Sequence, residues 1–195
     1  MRIILATPEN LDAIMEMYNS CVQGMLALGI DQWDESYPNR TIIEQDLKEG
    51  CYYIGIIENE IVAGMRVDNI QDPTYLDINW KDKTNNFMVV HRLGSKAKVW
   101  NKGIGKKMME FAENIATESG CSSFRLDTYS NNPKAMEFYK KLGYQQLGHI
   151  NLKPDKDIYY CFEKVPLKEG TYLPSILGME YGKSCSIHML SLIHI

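Results

Sequence analysis

Leu11, Ile14, Met15, Tyr18, Val22, Met25 and Leu26 recur at spacings of three and four, the period that gathers one face of an α-helix. They predict a helix over 10–28, closed by Gly29 and preceded by a short strand at 3–6 and a Thr7-Pro8 start. Residues 30–38 carry no period and read as an acidic, aromatic loop; a shorter helix follows at 41–48, ended by Gly50. The β-rich runs 51–57 and 61–67 flank Glu58-Asn59-Glu60 and predict a hairpin with a polar turn. Residues 68–86 are polar and irregular apart from a short strand at 75–80, and 87–93 form an apolar strand suited to the middle of a sheet. Met108, Phe111, Ala112, Ile115 and Ala116 mark a helix from Ile104 to about Glu118, stopping before Gly120, and 123–128 is the next strand. Asn132 and Pro133 cap a helix whose face holds Ala135, Met136, Tyr139 and Leu142 and which Gly143 stops. Strands at 144–152 and 158–165, with a turn at Pro154, complete a mixed α/β order with hairpin-linked and helix-separated strands.

Composition narrows the class without changing that picture. The 195 residues suit one domain, read as 1–165, followed by a glycine- and proline-broken tail at 166–195. Residues 190–195 resemble the translation of a sequencing adapter and are set aside as a non-native scar, a native C-terminal strand or partner-binding tail being the alternative. Hydrophobic residues make up 45% and no apolar run reaches the roughly 20 residues of a membrane span, so no membrane partner is expected. The start lacks a signal-peptide pattern, which makes the cytoplasm the default location. Cys21, Cys51, Cys121, Cys161 and Cys185 have no CxxC pairing or metal-ligand spacing, so reduced, mostly buried thiols and no metal are expected. A net charge of -4 argues against a general nucleic-acid binder and sits better with a cationic amine substrate.

The chemistry concentrates in Trp100-Asn101-Lys102-Gly103-Ile104-Gly105-Lys106, between a strand and an amphipathic helix. Glycines there let backbone approach a ligand, the first N–H groups of the helix point outward, and the positive helix end with its lysines favours a phosphate. A tight strand-to-helix turn needs the same glycines, and the spacing is neither a P-loop nor a dinucleotide fingerprint.

The second half of the pattern raises this reading. The strand, the Gly-x-Gly turn and helix, the next strand, and then Asn132, Ala135, Tyr139, Gly143 and Tyr144 in the order Asn-x-x-Ala-x-x-x-Tyr-x-x-x-Gly-Tyr resemble the two main motifs of the GNAT acetyltransferase family. The resemblance spans 2–165 in element order and is specific over 87–144. It implies a GNAT fold: a mixed sheet of about seven strands flanked by about four helices, with a splayed central strand pair. It also implies acetyl-CoA as co-substrate, its pantetheine arm beside the strand 89–95 with Leu93 and Ser95 as backbone partners. The pyrophosphate would lie on Trp100, Asn101, Lys102, Gly103, Ile104, Gly105 and Lys106, and Asn132 would contact the cofactor. The family's loop usually begins with glutamine or arginine where Trp100 stands, and relatives often carry proline at Ala97 and an apolar residue at Ser95.

In the mechanism so implied, a neutral amine of a small molecule or peptide attacks the thioester directly. An alkylamine is only about 0.1% neutral at pH 7, so a base must take its proton, commonly a carboxylate through water. Asp31, Asp34 and Glu35 are the candidates, with Trp33 and Tyr37 walling the amine by cation–π contact, although the same pattern suits a solvated acidic loop anchored by two aromatics. Asp127 is a weaker candidate, and His91 and His149 read as satisfied strand histidines. Backbone N–H near Leu93 would hold the developing oxyanion and Tyr139 would protonate the leaving thiolate, unless it is merely a core residue on its helix. A non-catalytic acyl-CoA sensor on the same fold is the alternative function, and a homodimer the common default.

Overall fold

The computed structural model describes residues 1–165; Cys185 and the suspected scar at 190–195 lie outside the described residues. Chain order is β1 (Arg2–Leu5), α1 (Leu11–Leu26), α2 (Arg40–Lys48), β2 (Tyr52–Ile57), β3 (Glu60–Asp68), β4 (Phe87–Ser95), α3 (Ile104–Glu118), β5 (Ser123–Tyr129), α4 (Pro133–Lys141), β6 (Gln145–Ile150) and β7 (Tyr159–Lys164). Each predicted helix forms within two residues of its expected bounds, because apolar periodicity and end signals agree. At α4, the Asn132 side chain accepts the Ala135 N–H at 3.1 Å, Pro133 opens the first turn, and Gly143 takes the left-handed φ of +89° that ends it.

One element is a correction. The expected strand at 75–80 is instead a 3₁₀ turn, Pro73–Asp77. Asp72 caps it, accepting the Thr74 N–H at 2.9 Å, and Pro73 has no N–H to give a ladder. Tyr75 and Trp80 are buried as anchors of an irregular segment, which is why they resembled a strand in sequence.

Among the described residues seven strands form one mixed sheet in the order β1-β2-β3-β4-β5-β7-β6. Only β4 and β5 run parallel, and they pair over just three positions, from Phe87↔Ser123 to Val89↔Arg125. Beyond Val89 the strands diverge: β4 stays with β3 as far as Ala63↔Ser95, while β5 follows β7 to Tyr129↔Tyr159. A bulge marks the divergence, with Arg92 and Leu93 of β4 standing opposite Met65 alone of β3, and Arg92 at a φ of +54°. The expected splayed central pair is therefore present.

Two layers hold the sheet. Met108, Met109, Ala112 and Ala116 of α3 pack with Tyr139 of α4 on Met65, Val90, Phe124, Leu126 and Phe162. On the other face Ile14, Met17, Tyr18 and Val22 of α1 and Ile43 of α2 pack on Tyr52 and Ile54. Burial of each large apolar side chain is worth about 1.5–3 kcal/mol, so these layers fix the strand positions against which the split opens. Among the described residues no helix is long and apolar enough to cross a membrane.

Candidate active site

The split between β4 and β5 opens into a cavity of about 1080 Å³, at the upper end of the size of ligand clefts. One wall is β4 from Val90 to Ser95, including Leu93 at the bulge; the other includes Asp127 and Thr128 of β5.

At one mouth stands the start of α3. Asn101 (φ +61°) and Gly103 (φ +77°) are left-handed, and a Cβ on Gly103 would meet nothing within 4 Å, so glycine is required there for its backbone and not for space. The first rung of the helix is the Lys107 N–H donating to the Gly103 carbonyl at 3.1 Å, which leaves the N–H groups of Ile104, Gly105 and Lys106 ahead of the ladder. Asn101, Gly103, Ile104, Gly105 and Lys106 line the cavity with Lys134 and Lys141 of α4, whereas Lys102 is exposed and does not. Free N–H donors at a helix start beneath three lysines fit a pyrophosphate. Gly105 has a further reason to be glycine: its Cβ would sit 3.2 Å from Cζ of Phe138, so α4 packs directly over it.

Trp100 lines the cavity but is fastened elsewhere. Its indole Nε1 donates to the Ser95 carbonyl at 3.1 Å, and its ring lies over Gly24 of α1, where a Cβ would be 2.7 Å from the ring edge. The side chain thus braces the end of β4 against α1 instead of offering a phosphate ligand, and one lone pair of the Ser95 carbonyl is already used.

Tyr139 is 8% exposed and lines the same cavity, its ring held edge-on by Phe138 and Tyr144. Among the described residues its hydroxyl has no hydrogen-bond partner. Burial first, and then the charge of Asp127, push its pKa well above the usual phenol value, so it keeps its proton at neutral pH. Asn132 lines the cavity and is also held in place: Oδ1 caps α4 and Nδ2 donates to Gln32 Oε1 at 2.7 Å, tying α4 to the 30–38 loop.

The 30–38 loop divides. Trp33 and Tyr37 line the cavity, as does Gln32, but Asp31, Asp34 and Glu35 do not. Asp31 pairs with Lys156 at 3.0 Å, Asp34 accepts the Ser36 hydroxyl at 2.5 Å and the Ser36 N–H at 2.8 Å, and Glu35 is exposed. These bonds hold the Asp31 and Asp34 carboxyls below their ordinary range. The face of Tyr37 is taken by the protein's own cation, with Lys153 Nζ 4.8 Å from the ring centre.

Groups that the motifs did not single out complete this side. Arg92 grips buried Asp46 with Nη2 at 2.7 Å from both carboxylate oxygens, and Arg66 reaches the same Asp46 at 2.6 Å. Tyr52 donates to the Tyr18 hydroxyl at 2.8 Å, and Tyr18 to the Arg92 carbonyl at 2.6 Å, which pins the bulge. His91 lines the cavity yet its Nε2 is bonded to the Ile70 carbonyl at 2.9 Å, while His149 is exposed on β6. Asp127 accepts the Tyr75 hydroxyl at 2.6 Å on Oδ1, and burial raises its pKa from the ordinary aspartate value. It is the weaker base candidate of the sequence, an acid that follows the alternating Phe124-Arg125-Leu126 of β5. Among the described residues no three His, Cys, Asp or Glu side chains stand together as metal ligands.

A sheet opened between parallel strands, with an anion-receptive helix start at one mouth and a buried phenol on the wall, defines an α/β fold built for group transfer from a phosphorylated carrier. The chain belongs to the acetyltransferase (GNAT) family, whose model matches residues 11–144. As a member it is an acyltransferase, and the family uses acetyl-CoA. It is similar to the thialysine N-ε-acetyltransferases of Bos taurus, 38% identical over 61 residues, and of Sus scrofa, 41% identical over 46 residues. Those matches take in 31% and 24% of this chain and 32% and 27% of the relatives, so the likeness spans about a third of their length. In fold it is similar to a GNAT-family acetyltransferase from Streptococcus agalactiae, with a TM-score of 0.70, 26% identity and coverage of 84% and 94% of the two chains. It is also similar to PaiA N-acetyltransferase from Thermoplasma acidophilum in complex with coenzyme A, with a TM-score of 0.63, 16% identity and coverage of 84% and 98%.

Proposed function

We propose that this acyltransferase moves the acetyl group of acetyl-CoA to a primary amine of a small molecule or peptide by direct attack. The observation that carries the reading is the unpartnered Tyr139 phenol, buried in the cavity that the open N–H groups of α3 also line. The pyrophosphate is assigned to the backbone of 101–106 with Lys106, Lys134 and Lys141 around it, and the pantetheine arm to Leu93 and Ser95. Because Trp100 and Asn132 already have partners within the protein, backbone donors supply most of the hold, which makes the missing glutamine or arginine at Trp100 tolerable.

A bound thioester supplies an activated carbonyl and a leaving thiolate, and a thiol of ordinary pKa near 8.5 needs a proton as it departs. Tyr139 holds one firmly at neutral pH and is the assigned donor. The similarity to thialysine N-ε-acetyltransferases supports an amine as the acceptor.

The test is release of free thiol from acetyl-CoA with propylamine, lysine and a lysine-containing peptide as acceptors. Amine-dependent release supports the reading. Tight cofactor binding without release from any of them would leave a binding module in its place.

A further inference from the structure

We propose that Asp127 is the group that receives the acceptor amine, holding it as an ammonium and taking the proton it must lose. The assignment rests on the acetyl-transfer reading above and names its missing base.

Geometry carries it. Phe124 and Leu126 of β5 pack into the α3–α4 core, so Asp127, one residue on, projects from the opposite face of the strand, where the Tyr75 hydroxyl meets it at 2.6 Å. Tyr75 occupies Oδ1. Oδ2 takes no hydrogen bond among the described residues, and the half-buried side chain lines the cavity that Tyr139 also lines. Every cation near it is otherwise committed: Arg92 and Arg66 to Asp46, His91 to the Ile70 carbonyl, and Lys153 to the face of Tyr37. The second carboxylate lining this side, Asp72, also lacks an ion-pair partner among the described residues and sits exposed at the rim. An alkylammonium therefore meets, inside the cavity, a carboxylate oxygen with no hydrogen-bond or ion-pair partner among the described residues.

The independent sign that a reactant belongs here is Tyr139, nine-tenths buried as a residue, with its hydroxyl unpartnered among the described residues and open only to the cavity. Asp127 and Tyr139 feel each other electrostatically, and the two fit opposite halves of one proton balance. The ammonium gives its first proton to Asp127 Oδ2, and from there to solvent. The freed nitrogen lone pair forms the C–N bond, the C–S bond breaks, and the thiolate takes the phenol proton. The second proton on nitrogen restores Tyr139. The sum is one amide, one thiol and one proton to solvent.

Several groups set the pH at which Asp127 works. His91 and Arg92 of β4 favour its charged form, as does the bond from Tyr75; burial and Asp72 disfavour it. Tyr37, Tyr139, and Tyr159 and Cys161 of β7 also sense its charge. Burial is the largest effect, so the acid limb of kcat/KM should lie above the ordinary carboxylate value, with activity lost as pH falls through it.

The test is Asp127→Asn, assayed with whichever amine of the panel the wild type uses fastest. At pH 7 kcat/KM should fall about 100-fold or more, the range for loss of a positioned base. At pH 10, where about half of such an alkylamine is already neutral, the loss should shrink below about tenfold. Coenzyme A affinity should stay within about threefold, since Asp127 lies away from the phosphate mouth. An equal loss at both pH values, or none, would overturn the assignment. Tyr75→Phe gives a second reading that keeps the carboxylate: loss of its hydrogen bond should move the acid limb to higher pH, and an unmoved limb would also overturn it. Wild-type protein that releases no thiol with any amine removes acetyl transfer itself; wild-type turnover with either contrary result removes only Asp127.

Discussion

The two sides of the split sheet are built from different materials. The side facing the start of α3 presents backbone: a left-handed Gly103, N–H groups ahead of the first helical rung, and the bulge that takes Leu93 out of register. The side facing the 30–38 loop and the 69–80 segment presents side chains, in a network where Asp46 binds two arginines and Tyr75 hydrogen-bonds Asp127. Backbone recognition needs a glycine, a helix start and little else, so many sequences can provide it. Side-chain recognition is specific to each sequence, and a swap on this side changes what is accepted without disturbing how the carrier is held.

That contrast can be broken by substitution. Asp46→Ala should have the largest effect, because Asp46 is 1% exposed and its removal leaves Arg92 without a carboxylate partner, while Arg66 keeps only Glu49 and Asp68. Breaking a buried pair of this kind costs about 3–5 kcal/mol. In a chain of this size that lowers Tm by about 10 °C. Thermal unfolding is the measurement, and acetyl-CoA affinity measured well below Tm should hardly change; an equally large loss of affinity would dissolve the distinction between the sides. Tyr139→Phe should lower turnover more than about tenfold with little change in cofactor affinity, as expected when a proton donor used only in the transition state is lost. An equal rate would return Tyr139 to a packing role.

Gly103→Ala sharpens the comparison from the other direction. A side chain in the left-handed region costs roughly 1–2 kcal/mol, and here the added methyl meets no neighbour, so the strain falls on the loop geometry alone. Calorimetry should show acetyl-CoA binding weakened up to about tenfold with KM for the amine unchanged. The smallest effect belongs to Asp31→Asn and Glu35→Gln, which should alter kcat/KM by less than about threefold, since both carboxylates lie on the surface and one is already paired with Lys156. A larger loss would move amine recognition out to the loop.

The same division explains what was legible in the sequence. The helices could be read because periodicity, Asn132-Pro133 and the glycine stops all pointed one way, whereas the splayed strand pair came only with the resemblance to the GNAT family. The segment around Tyr75 could not: two buried aromatics resembled a strand, while Asp72 and Pro73 dictate a 3₁₀ turn. The acidic loop showed which residues it contained but not which way they faced, and an aperiodic loop has no rule for that. It turned Gln32, Trp33 and Tyr37 inward and left its carboxylates outside. Trp100 was visible as a departure from the family's pattern, but the notch at Gly24 that receives it lies 76 residues earlier, a pairing that only the fold creates. Gly105 was read as a glycine for a ligand, and its contact with Phe138 depends on how α4 packs.

The central claim is that the open split holds acetyl-CoA by the start of α3. Calorimetric titration of the protein with acetyl-CoA tests it most directly. Saturable one-to-one binding, weakened by Gly103→Ala and unaffected by Asp127→Asn, is the predicted result. The absence of any binding at millimolar acetyl-CoA would contradict the account.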